Sequence, residues 1–155
     1  MLVEKITTKK KLILFRVDLS EKIGLGHFIR CLNLAQSISN KGNSIVFIFN
    51  FSSYKSFLKL GIQNNFSFKV FVLSEEFDEV EQIFGNLLEN IEPELLVVDN
   101  YSWSVNEEKK CRPFVKNLLI FDDLANRKHD CDILVDVSFK RKKKHYQGFV
   151  SKSTK

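Results

Sequence analysis

The fold is decided by the stretch LILFRVD at residues 12–18, which leads through a short loop into a helical pattern. Its first six residues are almost continuously apolar, as is typical of a strand buried on both faces of a parallel sheet. Beyond the loop, apolar residues recur with helical spacing at Phe28, Cys31, Leu32, Ala35 and Ile38. Gly42 follows, where such a helix would end. This order predicts the opening unit of an α/β fold.

The same alternation continues along the chain. Further strands are predicted at residues 44–49, 68–73, 95–99, 118–122 and 133–136, with helices over 54–60 and 76–90. We therefore predict an α/β fold with a Rossmann-like parallel sheet of five to six strands and flanking helices. This domain should occupy residues 1–139, and residues 140–155 should form a basic linker or tail.

The charge of the chain is concentrated at its end. Of 24 lysine and arginine residues, seven lie in residues 140–155, here called the basic segment, which contains no acid. A nucleic-acid-binding domain usually carries its charge on a folded face with aromatic residues interleaved, so the basic segment favours a solvated stretch and no nucleic-acid partner. There is no apolar run of about 18 residues and no signal-peptide pattern, so we expect a cytoplasmic protein without a membrane partner.

Three cysteines stand far apart, at Cys31, Cys111 and Cys131. An odd, scattered set argues against a disulfide framework and against a zinc site. Cys31 lies on the apolar face of the first predicted helix, so we expect it in the core.

Candidate site residues follow from the sheet, because ligands of open parallel sheets bind beyond the carboxyl ends of the strands. Asp18 ends the first strand, and Asp99 and Tyr101 end the fourth. Gly24 and Gly26 lie in the loop before the first helix, where they either allow close approach to a ligand or only form a tight turn.

His27 is the most informative candidate. At the start of a helix, the positive end of the helix dipole favours the neutral imidazole, which is suited to act as a general base toward water. The alternative is a histidine that only caps the helix or fills the loop.

Two acidic clusters raise the question of a metal site. Asp122 and Asp123 follow a strand, as metal-binding acids do in response-regulator receivers, but the residues favour capping of the next segment or pairing with Arg127. His129 and Cys131 lie among aspartates, and without a second cluster they favour a structured loop.

Several motifs converge on one family. They are RVDLS at 16–20, IGLGHFIRCL at 23–32, LVVDNY at 96–101 and FDDLANRKHDCD at 121–132. In this order they resemble the UDP-2,4-diacetamido-2,4,6-trideoxy-β-L-altropyranose hydrolases of pseudaminic acid biosynthesis. Those enzymes, like the related spore-coat polysaccharide proteins, are similar to two-domain GT-B glycosyltransferases.

The resemblance implies a reaction and a site. The family cleaves the bond between UDP and the anomeric carbon of its sugar with water, with inversion and without a metal or other cofactor. Its glycine-rich loop and histidine base match Gly24, Gly26 and His27, and its sugar-pocket tyrosine matches Tyr101. Asp18 and Asp99 are expected to orient the UDP-sugar or to brace the loop.

The chain departs from the family at Lys155, where the family continues into a second, nucleotide-binding lobe. We expect that this chain resembles the N-terminal lobe and that the second lobe is absent. The UDP-sugar hydrolase function would then require a separate second-lobe chain. The alternative is a non-catalytic α/β domain that binds a nucleotide sugar or a protein partner.

Overall fold

The protein, described here as a computed structural model, is built on one six-stranded sheet; the structure describes residues 10–19, 25–62, 66–86 and 91–155. The strands are β1 Leu12–Val17, β2 Ser44–Asn50, β3 Lys69–Leu73, β4 Leu95–Asp99, β5 Leu118–Phe121 and β6 Ile133–Val135. All strand pairs are parallel, in the order β3-β2-β1-β4-β5-β6. The prediction of a Rossmann-like α/β fold is confirmed.

Two layers of helices cover the sheet. One face carries α1 (Gly26–Ser39) and α2 (Phe51–Lys59), and the other carries α3 (Glu79–Glu81) and α4 (Val105–Cys111). Short 3₁₀ helices lie at Arg112–Phe114 and Lys143–Tyr146. Successive residues of β1 belong to opposite cores, which explains why this strand is apolar almost throughout.

Side-chain caps set several helix starts. Asn50 accepts a hydrogen bond from the Ser53 amide, so α2 begins at Phe51, three residues before its predicted start. In α4, Ser104 and Glu107 form a capping box.

The helix predicted over residues 76–90 differs most from the structure. Asp78 accepts hydrogen bonds from the amides of Val80 and Glu81, so it is the N-cap and α3 begins only at Glu79. The helix then widens into a π-helical turn over Gln82–Asn86. Residues 87–90 of the prediction lie outside the described residues.

The basic segment lies in part against the outer edge of β6. The amide of Leu134 donates to the Lys155 oxygen, and the amide of Lys155 donates to the Asp132 oxygen. Tyr146 is buried, with its hydroxyl 2.7 Å from Oδ2 of Asp136. The segment predicted as a linker or tail therefore packs on the domain, and its role as a link between lobes stays a prediction.

Across the part of the chain that the structure describes, every helix is too short or too polar to cross a bilayer.

We expect Leu14→Ala to destabilise the fold strongly. Leu14 is fully buried in β1, opposite Val46 of β2 and Leu96 of β4, so truncation leaves a cavity at the centre of the sheet. The free energy of unfolding, measured by urea denaturation, should fall by about 2–5 kcal/mol. The matched control is Leu58→Ala on α2, where the side chain is 59% exposed and the expected change is within about 0.5 kcal/mol. Equal losses in the two variants would contradict the assigned core.

Candidate functional site

The candidate site lies at the carboxyl ends of β1 and β4, where the order of the strands reverses direction. β1 lies between β2 and β4, and the chain leaves β1 toward one side and enters β4 on the other. In folds of this order, the crevice between these two strand ends is the usual place for a ligand. Asp18 and Asp99 lie here, and the Asp18 amide donates to the Asp99 carbonyl oxygen at 3.3 Å.

His27 is the second residue of α1, and its side chain lies against β4. Its Nδ1 is 2.7 Å from Oδ1 of Asp99. The oxygen lies off the direction of a ring N–H, so the two groups are in close polar contact without the alignment of a good hydrogen bond. An anionic neighbour at Nδ1 favours a proton there, which leaves the lone pair on Nε2, the ring nitrogen turned away from Asp99.

Asp99 is a buried carboxylate with its charge compensated. Arg30 donates to it twice, from Nε to Oδ2 at 2.5 Å and from Nη2 to Oδ1 at 2.6 Å. Burial by itself would raise the pKa of Asp99, but the hydrogen bonds from Arg30 and the proximity of His27 outweigh burial and lower it. Asp99 is therefore an anion whose two oxygens are both engaged by α1.

Tyr101 completes the group. Its ring lies edge-on to the imidazole of His27, with 4.6 Å between the ring centroids. Its hydroxyl donates to Oδ1 of Asp123 at 2.7 Å. Burial and this hydrogen bond raise the pKa of Tyr101 to about 12, so the phenol is neutral at physiological pH. With the hydroxyl engaged by Asp123, the ring itself is what Tyr101 offers to a ligand.

Asp18 is also held by protein groups. Its Oδ1 accepts a hydrogen bond from Nη1 of Arg16 at 2.9 Å and lies 3.5 Å from Nδ2 of Asn50. Asp18 and Asp99 were expected either to orient a sugar or to brace the loop. Arg16 engages Asp18 and Arg30 engages Asp99, and the roles of both carboxylates toward a sugar or the loop stay predictions.

Of the two candidate glycines, Gly24 and Gly26, the structure describes only Gly26. Gly24 lies outside the described residues. Gly26 is the first residue of α1; its φ is outside the left-handed region, and a Cβ placed there would have no neighbour within 4 Å among the described residues. The backbone conformation at Gly26 therefore does not require glycine, and the described part of the chain leaves the space in front of its Cα open.

The sequence did not identify Arg30 and Asp123 as members of this site. Arg30 engages Asp99, and its Nη1 also donates to Oδ2 of Asp123 at 3.3 Å. Arg30 lies three residues after His27, a spacing that puts both on one helix face, and this was the available signal. Asp123 follows a predicted strand, but the sequence favoured capping or pairing with Arg127 for it, and only the fold brings the end of β5 to α1 and Tyr101.

Of the two acids after β5, Asp122 has the structural role that the sequence favoured. Oδ2 of Asp122 accepts a hydrogen bond from the Ala125 amide, and Oδ1 lies 3.9 Å from Nε of Arg127. Arg127 in turn donates to the carbonyl oxygen of Tyr101 at 2.6 Å and so holds the loop that carries that residue. In the described ranges, no three His, Cys, Asp or Glu residues are grouped so as to hold a metal ion.

A second buried charged group lies beside this loop: Glu108, Asp122 and His129, here called the His129 cluster. Nδ1 of His129 is 2.7 Å from Oε1 of Glu108, and Nε2 is 3.6 Å from Oδ2 of Asp122. Burial opposes a charge on the ring, but the two carboxylates outweigh it and raise the pKa of His129 to about 9. His129 is thus an imidazolium that ties α4 to the end of β5, as expected of a structured loop.

The three cysteines are all buried thiols. Cys31 lies behind the site on α1, with Sγ 3.6 Å from Oδ2 of Asp99, which confirms its predicted place in the core. Burial and the nearby Asp99 raise the pKa of Cys31 well above its ordinary value. Burial likewise raises the pKa of Cys111 and of Cys131 to about 12.

Fold and site together define a Rossmann-like α/β domain with a histidine–carboxylate pair at the carboxyl ends of its central strands. No family model matches the chain. Over 140 residues it is 34% identical to UDP-2,4-diacetamido-2,4,6-trideoxy-beta-L-altropyranose hydrolase of Campylobacter jejuni. The alignment covers 89% of this chain and 46% of the relative, so the chain spans about half the length of that protein. The chain is a distant homologue of part of a UDP-sugar hydrolase, which confirms the resemblance predicted from the motifs.

We expect the free energy of unfolding to fall as the pH rises from about 6.5 to 9. The folded pKa of His129, about 9, is above the unfolded value of 6.5. Its contribution is therefore fully present below pH 6.5 and is lost as the pH rises through 9, by an amount on the order of a few kcal/mol. Urea denaturation at a series of pH values measures this loss.

Two histidine variants provide the controls for this pH dependence. His129→Gln should be less stable at pH 6.5 and should show a much smaller loss across the same range. His145→Gln, at an exposed position in the basic segment, should retain the wild-type dependence. An unchanged pH dependence in His129→Gln would contradict the assignment of a buried imidazolium.

Proposed function

We propose that this chain provides the water-activating half of a UDP-sugar hydrolase, with His27 as the general base. In this reaction Nε2 of His27 takes a proton from water as the water oxygen bonds to the anomeric carbon. The bond between that carbon and the diphosphate oxygen breaks, and its electron pair leaves with UDP. The observation that carries the proposal is the pairing of His27 with Asp99 at the strand ends, in a region homologous to a UDP-sugar hydrolase.

The charges of the site support this role. The carboxylate of Asp99 at Nδ1 stabilises the imidazolium that forms when the ring accepts a proton. Arg30 compensates the charge of the same carboxylate in the resting state, when the imidazole of the proposed base is neutral. The open space before Gly26 and the ring of Tyr101 would border the sugar.

A second half is part of the proposal. The relative is about twice as long as the region it shares with this chain. Stabilising the leaving diphosphate requires positive or hydrogen-bond-donating groups, and loss of one such donor typically costs about 10²–10³-fold in rate. We propose that a further lobe, in the same or a separate polypeptide, supplies them.

The role of His27 is best tested in a chimera in which this chain replaces the homologous region of the Campylobacter relative. We expect the chimera to release UDP from the UDP-sugar named for that relative. His27→Gln should lower kcat by about 10²–10⁴-fold, because the proton acceptor is lost. His145→Gln, which removes an exposed histidine outside the site, is the matched control and should leave the rate unchanged. Full activity in His27→Gln would refute the general-base role.

The alternative, a non-catalytic domain, is distinguished by ligand binding to the chain alone. Backbone amide NMR signals of Gly26, His27 and Tyr101 should shift on titration with the UDP-sugar. Shifts at these residues, together with an inactive but folded chimera, would favour a sugar-binding domain over a hydrolase. Absence of shifts in the chain and of turnover in the chimera would contradict both functions.

We expect Gly26→Ala to preserve the fold but to weaken sugar binding. An alanine is compatible with the helical backbone here and should raise the free energy of unfolding by about 0.4–1 kcal/mol. Its methyl group would occupy the open space in which the ligand is proposed to lie, so the NMR titration should give a higher Kd. Gly85→Ala is the matched control, because Gly85 also has no described neighbour within 4 Å of an added Cβ but lies on the other face of the sheet. Unchanged affinity in Gly26→Ala would place the ligand elsewhere.

A further inference from the structure

The two rings of the site are held by carboxylates from two different strands. His27 contacts Asp99 at the end of β4, and the hydroxyl of Tyr101 is bound by Asp123, which follows β5. The rings also touch each other edge-on. Their relative orientation therefore depends on how the two carboxylates are placed with respect to each other.

One guanidinium joins these carboxylates. Arg30 binds Asp99 through Nε and Nη2 and reaches Asp123 through Nη1, so its three nitrogens are divided between the two acids. Its Cζ also lies 5.0 Å from the ring centroid of Phe121, the last residue of β5, and the side chain is 17% exposed. The guanidinium is thus fixed in position by both strands as well as by α1.

We propose that Arg30 is a positioning residue that fixes His27 and Tyr101 relative to each other by spanning Asp99 and Asp123. The water-activating role of the pair rests on the proposed function, whereas the mechanical coupling through Arg30 does not. The guanidinium also separates two carboxylates that would otherwise repel each other at the end of the sheet. Its planar fork is essential, because a lysine ammonium is a compact charge that binds one carboxylate without spanning both.

The chain is well suited to a spectroscopic test, because it contains only three histidines and three tyrosines. Aromatic NMR signals can be assigned by single substitutions and followed without any ligand. In Arg30→Gln, we expect the signals of both His27 and Tyr101 to shift by more than their line widths, while those of His145 and Tyr54 stay in place. Arg30→Lys should resemble Arg30→Gln, since the charge is kept but the span is lost.

Arg112→Gln is the matched control for these changes. Arg112 also pairs with two aspartates, Asp130 and Asp132, but on a different part of the domain. It should lose a comparable set of ion pairs without moving the His27 and Tyr101 signals. Equal shifts in the Arg112 variant, or wild-type signals in Arg30→Lys, would overturn the proposal.

A double-mutant cycle separates coupling through Arg30 from coupling through ring contact. Asp123→Asn weakens the Arg30 contact and should shift the His27 signal in the wild-type background. In the Arg30→Gln background the same substitution should no longer shift it. If the shift persists there, Asp123 acts on His27 through Tyr101 and the spanning role of Arg30 is wrong. If Arg30→Gln is folded only at low temperature, all four proteins of the cycle are compared at that temperature. Asp123→Asn is a mild change, so it should not unfold the double variant there.

The NMR test of the coupling through Arg30 does not depend on the proposed function. If the coupling is found but the chimera is inactive, only the hydrolase proposal fails. If the chimera is active, Arg30→Lys should lower kcat with little change in KM, by up to about 10²-fold for a misplacement near 1 Å. Activity lost in His27→Gln but unaffected in Arg30→Lys would leave the general base in place and remove the positioning role.

Discussion

A charge that is taken out of water must be paired, and this fold buries charges at the carboxyl ends of three of its strands. The side chains are those of Arg16 on β1, Asp99 on β4 and Asp122 after β5, each at most 1% exposed. An unpaired charge in such a position would cost several kcal/mol, so the surrounding elements must supply partners of opposite sign. Much of the architecture around the sheet follows from this requirement.

Each buried charge is met by a covering helix. Arg16 binds Glu79 at the start of α3, Asp99 binds Arg30 on α1, and Asp122 faces His129, which is anchored to Glu108 on α4. Apolar packing covers the sheet but is not directional, whereas these pairs have fixed geometry. They therefore set where the helices lie along the strands. The candidate site is one of these three anchoring points, the one at which a histidine and an arginine of the same helix share the buried carboxylate.

The strands of the sheet could be predicted from the sequence because they are buried on both faces. The predicted limits of β1 and β4 agree with the structure, since continuous apolar runs end there at a charged residue. The helix over 76–90 was predicted less well, because the cap at Asp78 and the tie of the Gln82 side chain to the backbone of Ser74 depend on local hydrogen bonds. Spacing alone does not reveal such bonds.

For the candidate site, the sequence identified residues but not their partners. The position of His27 at a helix start and of Asp99 at a strand end followed from their neighbours along the chain. That these two meet, and that Arg30 joins them to Asp123, depends on the packing of α1 across β4 and β5. The same limit applied to Arg16, because its partner Glu79 lies 63 residues further along the chain. Long-range pairing is therefore what the structure adds.

The three buried thiols give the molecule a chemical property of its own. Alkylating reagents attack the thiolate, and burial keeps these sulfurs both protonated and shielded. Each sulfur becomes reactive only when its surroundings open: Cys31 when α1 leaves the sheet, Cys111 when α4 does, and Cys131 when the loop before β6 is released. The rate at which each thiol is alkylated thus reports the opening of one part of the domain. The three cysteines are therefore built-in probes of local unfolding at three different places.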